Sequence, residues 1–84
     1  MNSSRHKNLD LHGKTYEEAK PLIDEFIIRN IEELPLEVIT GNSINMYEIL
    51  KKIVKKHHLA LIPSNSFNMG SYLITSPLYI NKKK

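Results

Sequence analysis

Two stretches of this sequence space their apolar residues by three and four, and each is preceded by a short run with strand character that ends at a glycine. Ala19, Leu22, Ile23, Phe26, Ile27, Ile31 and Leu34 make the first stripe, and Met46, Ile49, Leu50, Ile53 and Val54 make the second. Each predicts an amphipathic helix, and an amphipathic helix needs a flat apolar partner to bury its stripe. That partner is written around the helices. Leu9-Asp10-Leu11-His12 alternates with the period of a half-buried strand and stops at Gly13, while the β-rich run Leu36 to Thr40 stops at Gly41. Leu59 to Ile62 and Tyr72 to Thr75 are two further apolar runs, separated by Pro63, Asn65, Asn68 and Gly70, which suit a hairpin-like connection. The order strand, helix, strand, helix, strand, strand predicts an α/β fold, its helices packed on a mostly parallel sheet through right-handed crossovers.

Local chemistry marks the boundaries. Thr15-Tyr16-Glu17-Glu18 has the form of a capping box, so the first helix starts there; it runs to about Leu34, where Pro35 stops it. Pro21 lies within its first two turns and predicts a kink, because it removes a backbone donor. Either Ser43 or Asn45 can cap the second helix. The face opposite its stripe carries Glu48, Lys51, Lys52, Lys55 and Lys56. Those lysines fit the solvated back of a surface helix, and they also fit a surface that tracks phosphates.

A chain of 84 residues, 40% hydrophobic, suffices for one domain. We place that domain at 9–80, between a polar, flexible lead from Met1 to Asn8 and a basic tail from Asn81 to Lys84. There is no cysteine, so neither a disulfide nor a thiolate zinc site holds the fold, which suits a reducing cytoplasm. No apolar run approaches the roughly 20 residues of a membrane span, and no export signal is visible, so a cytoplasmic monomer with no membrane partner is expected. The net charge of +3 leans toward a nucleic-acid partner. His6, His12, His57 and His58 include no H-E-x-x-H spacing, and the pair at 57 and 58 suits a helix end, so no metal site is read.

Two constellations carry possible chemistry. With Leu9 and Leu11 turned inward, Asp10 and His12 stand side by side at the carboxyl end of a strand, the edge where open α/β sheets bind ligands. A carboxylate beside an imidazole fixes its tautomer and suits general acid-base work; the same pair also suits a structural role, with Asp10 accepting turn amides. Thr40-Gly41-Asn42-Ser43 lies between the second strand and the second helix, where free amides and the helix dipole favour an anion. An ordinary strand-to-helix turn reads the same way. Parallel strands share a direction, so both loops leave one edge of the sheet and can form one site.

These residues resemble the Smr (small MutS-related) domain family. Leu9-Asp10-Leu11-His12-Gly13, followed by Thr15 and Glu17-Glu18-Ala19, is similar to that family's opening LDLHG and EEA signature. Thr40-Gly41-Asn42-Ser43 is similar to its H-G-x-G or T-G-x-G loop, and Gly70 with Tyr72 to Thr75 to its closing glycine and strand. Ser43 stands where the second glycine is usual, and Tyr47 near where an arginine often follows. The resemblance spans Leu9 to Thr75. It implies a two-layer α/β sandwich, a mixed four-stranded sheet with two helices and an antiparallel last strand, related to the carboxyl-terminal domain of translation initiation factor three. It also implies DNA or RNA binding and nicking of phosphodiester bonds. On that reading His12 handles the proton, Asp10 orients it, and Gly13, Lys14, Thr40, Gly41, Asn42 and Ser43 hold the phosphate. Mg²⁺ could take over part of the scheme, although no residue pattern requires it. A binding module without turnover is the second reading, and an adaptor that meets a protein through the basic helix is the third.

Overall fold

The structure, a computed structural model, describes residues 7–64 and 70–77. Helix α1, Tyr16–Arg29, begins where the capping box fixes it: the Glu18 amide donates to Thr15 Oγ1 at 3.1 Å and the Thr15 amide donates to Glu18 Oε1 at 3.0 Å. It passes unbroken through the exposed Pro21. It ends short of the expected Leu34. The side chain of Asn30 donates to the Phe26 carbonyl at 2.8 Å, and its own amide turns to Phe26 and Ile27, so the chain leaves α-geometry there. A 3₁₀ turn, Ile31–Glu33, follows. The apolar spacing continues into it, but an amide side chain that competes for backbone acceptors wins over spacing.

Four strands, β1 (Asn8–Asp10), β2 (Leu36–Ile39), β3 (Ala60–Pro63) and β4 (Ser71–Thr75), form one mixed sheet in the order β1-β2-β4-β3. The β1–β2 pairing is parallel, with Leu9 opposite Val38. β4 runs antiparallel to both β2 and β3. Hence β1, β2 and β3 share one direction, β4 is inserted against them, and only one pairing among the described residues is parallel. A mostly parallel sheet is therefore correct for direction and wrong for pairing. β1 opens at Asn8, and the Lys7 carbonyl accepts the Glu37 amide at 2.9 Å, so the end of the expected flexible lead belongs to the sheet. Met1 to His6 and Asn81 to Lys84 lie outside the described residues.

Helix α2, Ile44–Lys56, is capped by Ser43, whose Oγ accepts the Met46 amide at 3.0 Å. Both helices lie on the same side of the sheet. Ala19, Ile23 and Ile27 of α1 and Met46, Leu50 and Val54 of α2 meet Leu36, Val38, Ile74 and Leu11 in a single core. Leu11 is fully buried and Leu9 half-buried, while Asp10 and His12 are exposed, so the leucines face the helices as the alternation requires. Burying a leucine of this kind stabilises the fold by about 1.5–3 kcal/mol. No helix among the described residues is long and apolar enough to cross a membrane.

Candidate functional site

β1 and β2 run the same way, so their carboxyl ends emerge at one edge of the sheet. The Leu11 amide donates to the Ile39 carbonyl at 2.7 Å and holds the two exits together. Beyond it Gly13, at φ +84°, lets the chain turn back, and the Lys14 amide closes the turn on the Leu11 carbonyl at 3.0 Å. Gly41 supplies the other turn at φ +71°. A Cβ built there would lie 3.5 Å from the His12 Cβ, so the two loops adjoin.

At this junction Asp10 Oδ1 accepts the His12 amide at 3.0 Å and lies 3.3 Å from the ring Nδ1. With Nδ1 donating to Asp10, Nε2 is left as the proton-accepting nitrogen on a ring that is 75% exposed. The His12 amide, and behind it the imidazole and Lys14, hold the Asp10 carboxyl below the usual carboxylate range, so Asp10 stays ionised. A depression of about 430 Å³ opens beside the pair, lined by His12, Gly13, Lys14, Tyr16, Thr40 and Ser43 among others.

Gly70 explains the shape of the second loop. Its carbonyl accepts the Thr40 amide at 2.7 Å and the Gly41 amide at 3.2 Å, and a Cβ on Gly70 would fall 2.6 Å from the Gly41 oxygen. Thr40 is buried, its hydroxyl directed at the Gly41 and Gly70 carbonyls at 3.0 and 3.3 Å. Thr40 and Gly41 therefore build the loop, and their amides are already taken. The amides of Asn42, Ser43, Ile44 and Asn45, at the start of α2, have no acceptor among the described residues. The unpaired amides therefore lie two residues further along than the Thr40-to-Ser43 span that the sequence suggests, on Asn42 to Asn45.

Family models, curated proteins and solved structures give no match to this chain. What the site can do chemically is therefore argued from its own groups. They are an oriented imidazole with a free nitrogen, an ionised carboxylate behind it, a lysine, and a row of outward amides at the positive end of a 13-residue helix. This set suits an anionic ligand from which a proton must be taken.

Tyr16 also lines the depression, and sequence reasoning passed over it because its place inside the capping box had a sufficient structural explanation. Hydrogen bonding by Ser43, and then by Asn45, whose Nδ2 donates to the phenol at 3.3 Å, holds the Tyr16 phenol below its ordinary range. The α2 lysines lie elsewhere. Lys52 and Lys56 line a separate groove between α1 and α2 together with Lys20, and Lys51 stands 5.6 Å over the Tyr47 ring. His57 caps the carboxyl end of α2, and its Nε2 meets Asp24 Oδ1 of α1 at 2.6 Å. His6 lies outside the described residues.

Proposed function

We propose that this chain is a nucleic-acid-binding module of the Smr type, with the sheet architecture of the carboxyl-terminal domain of translation initiation factor three, that nicks phosphodiester bonds. The observation that carries the reading is that the two loops adjoin, a Cβ built on Gly41 meeting the His12 Cβ at 3.5 Å, which sets an acid-base pair near unpaired helix-start amides. In the proposed reaction a phosphate of the strand lodges against the Asn42 to Asn45 amides, with Lys14 adding charge. His12 Nε2 accepts the proton of the attacking hydroxyl or water as its oxygen bonds to phosphorus, and the same proton passes to the strand oxygen that departs. Asp10 holds the ring in the required tautomer. The amides meet charge building on the non-bridging oxygens.

A second reading keeps the site and drops turnover. It is favoured by the Ser43 hydroxyl, which is committed to capping α2, and by the Gly41 amide, which is committed to Gly70. The loop then holds phosphate through fewer groups than a dedicated cleavage site would use.

A gel assay with supercoiled DNA, single-stranded RNA and branched DNA, each with and without Mg²⁺, decides between them. Nicked product that falls at least about tenfold in His12→Ala, with the melting temperature nearly unchanged, supports the nuclease. Salt-dependent binding with every substrate intact supports the second reading. Absence of binding overturns both.

A further inference from the structure

A second, smaller depression adjoins the first. It measures about 190 Å³ and is lined by Gly41, Asn42, Ser43, Ile44 and Tyr72, so Ser43 forms part of both walls. Drug-sized ligands need roughly 300 Å³ or more, so this space is on the scale of a single planar ring system. Its surfaces are those a ring would meet. Tyr72 packs against Tyr47 of α2, with ring centroids 4.8 Å apart and planes tilted by 34°. Ile44, at the other side, is 75% exposed, a large aliphatic side chain with no packing role in the core. Tyr47 in turn lies under the Lys51 ammonium, 5.6 Å from the ring centroid.

We infer that this depression is a nucleobase subsite and that the ligand is an unpaired strand. The inference rests on the phosphate-binding reading of the Asn42 to Asn45 amides, and it adds what that reading leaves open, the state of the strand. A nucleotide whose phosphate meets those amides has its base within a nucleotide's reach of Tyr72, because the loop that holds the one forms the wall of the other. Stacking needs an open base face. In a duplex both faces of each base are covered by neighbours, whereas a single strand or a splayed loop offers them. Stacking is also tolerant of base identity, since every base has a π-face.

The experiment measures Kd at fixed salt for fluorescent oligonucleotides of one length and backbone: a single strand, its duplex, and the same strand with abasic sites. The abasic strand keeps the phosphate charge, so it isolates the base from the backbone. The single strand is expected to bind at least about fivefold more tightly than either of the others. Tyr72→Phe should behave as wild type, and Tyr72→Leu should bind all three alike. Should Tyr72→Leu fail to fold, Ile44→Ala, at an exposed position, is expected to shrink the gap between normal and abasic strands. Equal affinity of wild type for all three ligands overturns the base subsite and leaves phosphate binding standing. No binding to any of them overturns the phosphate reading, and the base subsite with it.

Discussion

Gly70→Ala tests the contact that joins the two halves of the site. The added methyl would sit 2.6 Å from the Gly41 oxygen and 2.9 Å from its carbonyl carbon, where ordinary contact begins at 3.4 Å. The atoms in the way are backbone, so no side chain can rotate aside. They are also tied down, since the Gly70 carbonyl holds the Thr40 amide at 2.7 Å and the Gly41 amide at 3.2 Å. Relief requires β4 and the Gly41 turn to separate. Overpacking of this kind costs about 1–3 kcal/mol. For a domain of this size each kcal/mol lowers Tm by roughly 4–8 °C, so a fall of about 4–24 °C is expected in thermal unfolding followed by circular dichroism. The Gly41 turn adjoins His12, so nucleic-acid affinity should fall in the same variant. Gly13→Ala supplies the contrast. It meets open space, and its cost of about 1–2 kcal/mol comes from φ +84° alone. Gly13→Asn should recover part of that cost because Asn tolerates left-handed backbone, whereas Gly70→Asn should recover nothing. A Gly70→Ala protein melting within about 2 °C of wild type would refute the close approach.

Three further outcomes follow from the same geometry. Leu11→Asp places an unpaired charge in the core beneath the site and should leave no cooperative melting transition; a normal melting curve would mean that the strand faces are reversed. Thr15→Ala removes the acceptor of the Glu18 amide and should lower unfolding free energy in guanidinium by about 0.5–2 kcal/mol, and an unchanged value would contradict the capping box. Asp24 is held below the ordinary carboxylate range by its hydrogen bond to His57, with Lys56 behind it. Its folded value being the lower one, its stabilisation is complete above the ordinary carboxylate range and fades as pH falls through the folded value. Asp24→Asn should therefore be less stable than wild type near neutrality and lose less on acidification, and parallel acid-unfolding curves would contradict the α1–α2 tie.

Much of the fold is legible in the residues because it is decided locally. The spacing of Ala19, Ile23 and Ile27 and of Met46, Leu50 and Val54 states which helix faces are buried, and the capping box at Thr15 states where α1 begins, while the choice of Ser43 over Asn45 for α2 came with the structure. The alternation in Leu9 to His12 already separates the supporting leucine from the exposed Asp10 and His12. The end of α1 was less legible. Asn30 overrides an apolar pattern that runs on to Leu34, and periodicity does not register a side chain that competes for carbonyls.

Strand order is a different matter. Nothing in the run Tyr72 to Thr75 states that β4 enters between β2 and β3, because pairing is chosen by which edges the packed helices leave open. The site depends on that choice. Gly70 lies next to Gly41 only because β4 is beside β2, with Ser71 opposite Ile39, and this adjacency takes the Thr40 and Gly41 amides out of the cradle and leaves those of Asn42 to Asn45. It also brings Tyr72 against Tyr47, 25 residues away in sequence, to make an aromatic wall that neither position announces alone. Sequence by itself determined the two helices, the capping box at Thr15, the inward leucines and the paired Asp10 and His12, since each depends on residues within a few positions of one another. Tertiary structure decided which amides remain free and which rings meet, since those depend on strands that are distant in the chain and adjacent only in the sheet.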